Sequence, residues 1–354
     1  MNTASEQSES CSANLDRGER NGKVSELRQN IATKEWVIIA TERAKRPEGL
    51  VQSLRPLSED RPTWEADCPF CPGNEELDLE VLRIPEHGPW QLRVVQNKYP
   101  ALQLEGERTR RFEDVNRQVS GVGYHEVLVE SPLHNTCPAL QSAEEVSLML
   151  EAFKFRGKEI AQDPRIEQII YFENHGERAG TSLDHPHTQL VGLPIVPYHI
   201  RARGEEARRY FDDTGRCVFC HMLFHELQDG RRLIAETEHF VAFVLYAALS
   251  PFHMWILPRR HESSFLNTTT HELTDLGRLL HLVLRKLYIG LRDPHYNYII
   301  RSAPLHDLGP EYLHWYIAIV PRVTLRAGFE LGSGIFINVT PPEKDADFLR
   351  SITA

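Results

Sequence analysis

The chain has 354 residues, with 40 Lys plus Arg against 50 Asp plus Glu, a formal net charge of −10, and 41% hydrophobic residues. This is the composition of a globular protein rather than a disordered or collagenous one, and the length allows two domains of roughly 150 residues, each with its own core. The acidic balance argues against a general nucleic-acid binder, which needs clustered Lys and Arg to neutralise phosphates.

Residues 1–22 are polar and lack the basic start and apolar run of a signal peptide. They are expected to be a disordered tail. No apolar stretch reaches the roughly 18 residues of a membrane span, so a cytoplasmic location without a membrane partner is expected. A first strand is expected over Trp36–Ala40, followed by the short basic cluster Arg43-Ala44-Lys45-Arg46 and then Cys68-Pro69-Phe70-Cys71. Strands are expected at Leu92–Val95 and at His125–Glu130, the latter running into Ser131-Pro132-Leu133-His134. Ser142 and Glu145 form a capping box for a helix reaching about Gln162. Strands at Gln168–Glu173 and His185–Val191 follow.

From Cys217-Val218-Phe219-Cys220 onward the same order returns. Strands are expected at His239–Phe243 and Met254–Pro258, the second leading to His261. A helix spans about Thr270–Leu291, with Leu276, Leu279, Leu280, Val283 and Leu287 at helical spacing. Strands at Tyr296–Ile300 and His314–Pro321 close the copy. The interval between the two histidines is 185 − 134 = 51 residues in the first copy and 314 − 261 = 53 in the second. One CxxC is a weak signal. A four-ligand order repeated at matching spacing points to two Cys2His2 zinc sites: Cys68, Cys71, His134 and His185, then Cys217, Cys220, His261 and His314. Four protein ligands leave no open coordination position, so a structural role is expected for both ions. The other two cysteines, Cys11 and Cys137, stand alone.

The copies differ two residues past the fourth ligand, where the first has His187 and the second Tyr316. Side chains at i and i+2 of a strand share a face, so His187 and Gln189 are expected on the side of the metal site. The preceding turn, Asn174 to Ser182, is rich in Gly and small polar residues, a composition that presents N–H groups to phosphate. An unligated imidazole there is a candidate covalent catalyst at phosphorus. A structural histidine is the alternative reading.

The residues Phe172-Glu173-Asn174-x-Gly176, Gly180-x-Ser182 and His185-Pro186-His187-x-Gln189 resemble the signature of the galactose-1-phosphate uridylyltransferase family, within the histidine-triad superfamily. Trp36-Val37, Arg43 to Pro47 and Asn97-x-Tyr99-Pro100-Ala101-Leu102 resemble further segments of it, and the likeness spans about residues 24–350. The resemblance implies an α+β fold of tandem duplicated histidine-triad-like units, 23–200 and 201–354, with flanking helices on one continuous antiparallel sheet, in a homodimer. It implies ping-pong nucleotidyl transfer from a nucleotide-sugar to a sugar phosphate through His187, with Gln189 assisting. By the same resemblance Arg43, Arg46, Asn97, Asn174, Gly180 and Ser182 hold the nucleotide and phosphates, and Phe329 and Glu330 the hexose. The sequence departs from members that bind iron through Glu and His at the second site, since Cys217 and Cys220 favour zinc there. The run Gly328–Gly334 is closer to a plant branch of ADP-glucose phosphorylases. UDP-glucose–hexose-1-phosphate uridylyl transfer is therefore the first expectation and ADP-glucose phosphorolysis the second. A zinc-stapled nucleotide-binding module without enzyme activity is a third.

Overall fold

The structure is a computed structural model that describes residues 25–45, 56–307, 310–324 and 326–354. The expected tail, 1–22, and Arg46 lie outside the described residues. In chain order the elements are β1 (Glu26–Gln29), β2 (Trp36–Ile39), β3 (Glu80–Ile84), β4 (Leu92–Gln96), β5 (Arg110–Glu113), β6 (Asn116–Val119) and β7 (Tyr124–Val129). Then come α1 (Ala143–Ile160), β8 (Gln168–His175), β9 (His187–Leu193), α2 (Tyr198–Thr214), α3 (Val218–Asp229), β10 (Leu233–Glu236), β11 (Phe240–Val244) and β12 (Met254–Pro258). The chain ends with α4 (Thr270–Leu291), β13 (Tyr296–Arg301), β14 (Tyr316–Pro321), α5 (Gly328–Ser333), β15 (Phe336–Asn338) and α6 (Pro342–Ser351).

Ten strands form one sheet in the order β10-β11-β12-β14-β13-β8-β9-β7-β4-β3. Every pairing in it is antiparallel. The halves meet at β13 and β8, where Tyr296 pairs with His175 and Ile300 with Tyr171. Outward from this seam both halves use their strands in the same order, and each places its long helix before its last two strands. Alternation explains the faces: β8 reads buried and half-buried in turn, while β11 and β12 are buried throughout.

The long helices cover the sheet. Ser142 and Thr269 each cap their helix reciprocally with a Glu three residues on, which satisfies two otherwise unpaired backbone donors. Helices α1 and α4 pack together closely at Gly277, where a Cβ would lie 2.1 Å from the Ser147 hydroxyl oxygen. The core is continuous across the halves and runs from Leu92 and Phe153 to Phe243 and Trp315.

Several expectations need correction. The expected strand at 36–40 pairs not with the main sheet but with β1 and, in parallel, with β15. The strands expected to carry His185 and His314 begin two residues later, at His187 and Tyr316. In the first copy Pro186 has no N–H to offer the ladder, and its carbonyl instead accepts from Glu130 N–H. Helices α2 and α3 were not expected from the sequence. The boundary drawn at residue 200 falls inside α2.

Candidate active site and metal centres

The first metal cluster draws on three segments: the turn after Asp67, the chain beyond β7, and the extended residues before β9. All of its ligand atoms lie within 4.8 Å of one another, and all four residues are buried. Cys71 Sγ is 3.6 Å from Nδ1 of both His134 and His185. In the second cluster Cys220 Sγ is 3.3 Å from His261 Nδ1 and 3.4 Å from His314 Nδ1. A tetrahedral zinc with bonds of about 2.3 Å to sulfur and about 2.0 Å to nitrogen sets such atoms about 3.6 Å apart. The outer nitrogens are also fixed. His185 Nε2–H donates to Ser131 O at 2.8 Å, and His314 Nε2–H to Pro258 O at 3.1 Å, so each Nδ1 presents its lone pair to the cluster. Burial pushes the Cys68 thiol up to about 11, an unfavourable setting for a thiolate that a divalent cation would relieve. The donor sets and distances therefore fit zinc at both places.

His187 sits next to the first cluster without belonging to it. Its ring packs on Phe70 at 5.4 Å, and Phe70 lies between the two cysteines. His187 Nδ1–H donates to the carbonyl oxygen of His185 at 2.9 Å. This leaves Nε2 with the lone pair. Burial holds the imidazole below the ordinary histidine range, so it is neutral and nucleophilic at pH 7. The residue lines a small cleft with Arg61, Asn174, Gly176, Thr181 and Asp184.

Gln189, the next residue on the same strand face, is held by a residue that sequence reasoning missed. His125 Nδ1 accepts from Ala101 N–H at 3.1 Å, so its Nε2 carries the proton and donates to Gln189 Oε1 at 2.9 Å. The Gln189 amide is thereby oriented with its NH2 group free to donate elsewhere. Asn97 lies against the same His125 nitrogen, 3.2 Å away. Asn174 is fixed similarly. Its Oδ1 accepts from Asn297 Nδ2 at 2.7 Å, Asn297 also donates to Ala179 O at 2.9 Å, and Arg322 Nε donates to Asn297 Oδ1 at 2.6 Å. Gly180, at φ +96°, turns the loop beside Asn174 in a conformation that other residues rarely adopt. Ser182 is exposed on that loop.

The structure thus brings together His187, Gln189, Asn97, Asn174 and Gly180. Arg43 lies exposed on a single 3₁₀ turn after β2 and is not among the residues lining the cleft. Phe329 and Glu330 lie on α5, where Glu330 borders a separate groove with Arg322, Arg326 and Phe336. Arg322, on that groove, donates to Asn297, which in turn holds Asn174.

Beneath β9 lies a buried acidic group that the sequence did not reveal. Glu173 accepts from the Tyr296 hydroxyl at 3.1 Å, and Asp293 accepts from His175 Nε2 at 2.6 Å. The Glu130 carboxylate is buried beside the Thr188 hydroxyl, and burial pushes that carboxyl up to about 8. A carboxyl raised above its ordinary 4.5 is protonated when folded and ionised when unfolded between those values. Its contribution to stability is complete below pH 4.5, is lost as pH rises towards 8, and then levels off. Glu130→Gln, neutral at every pH, should therefore unfold at a higher temperature than the parent at pH 8 but not at pH 5. Equal melting differences at both pH values would contradict this assignment.

A family model described as galactose-1-phosphate uridyl transferase, N-terminal domain, matches residues 16–197. The ADP-glucose phosphorylase of Arabidopsis thaliana is 38% identical over 336 residues, covering 93% of each chain. The chain belongs to the galactose-1-phosphate uridyl transferase family. Within that family, the galactose-1-phosphate uridylyltransferase of Thermotoga maritima is 29% identical over 92% of this chain and 98% of its own. The crystal structure of the Arabidopsis ADP-glucose phosphorylase with bound ADP-glucose superposes with a TM-score of 0.79 at 34% identity, covering 94% of this family member and 99% of that chain. The chain is accordingly an enzyme of this family, with the mixed α+β fold expected of it.

Proposed function

We propose that this enzyme transfers a nucleotide through a covalent His187 intermediate, and that ADP-glucose phosphorolysis is the reaction its features support best. The observation that carries covalent transfer is the hydrogen bond from His187 Nδ1 to its own chain at His185 O, which leaves Nε2 as the nucleophile. Nε2 would attack the α-phosphorus of the nucleotide-sugar. The N–P bond forms as the bridging P–O bond breaks, and hexose 1-phosphate leaves. The Nδ1–H···O contact stabilises the positive charge that the ring then carries. The free amide of Gln189 is set to donate to the phosphoryl oxygens, and Asn174, Gly180 and Ser182 are proposed to hold the phosphates and ribose. An oxygen of inorganic phosphate then attacks phosphorus, the N–P bond breaks, and the nucleoside diphosphate leaves with the imidazole restored.

The likeness to the Arabidopsis enzyme supports adenosine as the base and phosphate as the acceptor. Uridylyl transfer from UDP-glucose to a hexose 1-phosphate, the first expectation from sequence, is the second reading, supported by the Thermotoga relative. Both use the same histidine. Zinc at each Cys2His2 cluster would tie loops to the sheet. Two histidine-triad-like repeats, 23–200 and 201–354, and a homodimer complete the proposal. In such a dimer Arg43, Arg46, Phe329 and Glu330 would contact substrate in a second copy. The deciding experiment offers ADP-glucose and UDP-glucose separately, without acceptor, and weighs the protein by mass spectrometry. An AMP adduct on His187 supports the first reading and a UMP adduct the second. Absence of any adduct, with turnover present, would exclude the covalent route.

A further inference from the structure

A roomy cavity lies not at His187 but in the second half. It measures about 810 Å³, within the range of small-molecule sites, and lies between α2, the ends of β13 and β14, and the second metal cluster. Strand register shows what it is. Tyr316 follows the fourth metal ligand as His187 does, and Phe219 packs on Tyr316 at 5.5 Å as Phe70 packs on His187 at 5.4 Å. In the first half Phe172 pairs with Gln189 and Glu173 with Thr188, which sets Asn174 opposite His187. In the second half Ile299 pairs with Ala318 and Arg301 with Tyr316. The cavity is the duplicate of the catalytic cleft, with tyrosine for the nucleophile, alanine for Gln189 and arginine for Asn174.

These replacements remove the chemistry and add positive charge. Arg203 of α2 and Arg301 of β13 both line the cavity. Arg301 Nε is buried with no hydrogen-bond partner. Burial and the neighbouring Arg203 guanidinium push Arg301 below the ordinary arginine range. Arg203 meets the Glu35 carboxylate at 4.0 Å and the Tyr316 hydroxyl. Of the acids lining the cavity, Glu167 pairs with Arg108 and His306 and Asp212 with Arg208, while Glu205 and Asp307 also lie on its wall. The Arg301 guanidinium, its Nε buried and unpartnered, beside that of Arg203 in a roomy cavity matches the fork geometry that receives a phosphoryl group.

We propose that this second-half cavity is a non-catalytic binding site for a phosphate-bearing small molecule, seated on Arg203 and Arg301, with the remaining space holding the sugar or nucleoside attached to it. The likeness to the first cleft rests on the reading of His187, whereas the arginine pair and the cavity stand apart from it. Isothermal titration of the full chain with inorganic phosphate, glucose 1-phosphate and AMP, each separately, tests it and distinguishes the sources of the phosphoryl group. At least one of the three is expected to bind at two sites per chain. Arg301→Gln and Arg203→Gln should each weaken one of those sites by about tenfold or more, the scale of a lost charge-assisted hydrogen bond. Saturated turnover and metal content should stay unchanged, which shows that the variants are folded. Two variants on different elements separate loss of the binding groups from a packing defect in either one. A single wild-type site that both variants remove would support the cavity and count against the first-half cleft. Isotherms that neither variant alters would overturn the proposal, as would a wild-type chain that binds none of the three ligands.

Discussion

Replacing His187 with asparagine should lower turnover by about a thousandfold or more and abolish the nucleotide adduct. The reason is specific to the imidazole. Its Nδ1 is committed to His185 O, so Nε2 is its free nucleophilic atom, and an amide cannot supply an equivalent. His187 is not a metal ligand, so the variant should keep its full metal content and melt close to the parent. Turnover within tenfold of the parent would sink the covalent mechanism and favour a binding module instead. Loss of metal together with activity would show that His187 matters for folding rather than chemistry.

The second large effect concerns the metals, and it should differ between the two clusters. Cys71→Ser removes the sulfur facing both histidines of the first cluster, and Cys217→Ser removes one of the second. Each variant should lose one of two zinc ions per chain by elemental analysis. Structural zinc supplies about 10–16 kcal/mol in small finger peptides. Here each ion would join loops to a sheet that already has a core, so a loss on the order of 3 kcal/mol is expected from each. Activity should separate them. Cys71→Ser should nearly abolish turnover, because the His185 carbonyl that orients the nucleophile is no longer held. Cys217→Ser should melt early but turn over normally at low temperature. Equal activities in the two variants would contradict the link through His185.

Much of this was legible in the sequence, for a clear reason. The metal ligands announce themselves because their order repeats, and α4 does so because its leucines recur at helical spacing. Helix α2 gave no such signal. Ala207 is its one residue buried among the rest, so it has no apolar stripe. Helix α3 starts on the second CxxC, where the metal motif hides the helical pattern. The roles of His125 and Glu130 depend on the pairing of β7 with β9, which brings residues about sixty apart face to face. The expected substrate residues show the other limit. A local motif singles out Arg43 or Phe329 but does not place either of them at the cleft of His187.

The seam between β8 and β13 has a consequence for how such a protein can change. Each half looks like a portable unit, yet cutting between them would leave two unpaired strand edges in the middle of the sheet, where most proteins can least tolerate them. Neither half is free to be shed, even though one carries His187 and the other Tyr316 in its place. Keeping the second half for its edge leaves its own cleft available for a new use, and an arginine pair there is what such reuse would leave behind.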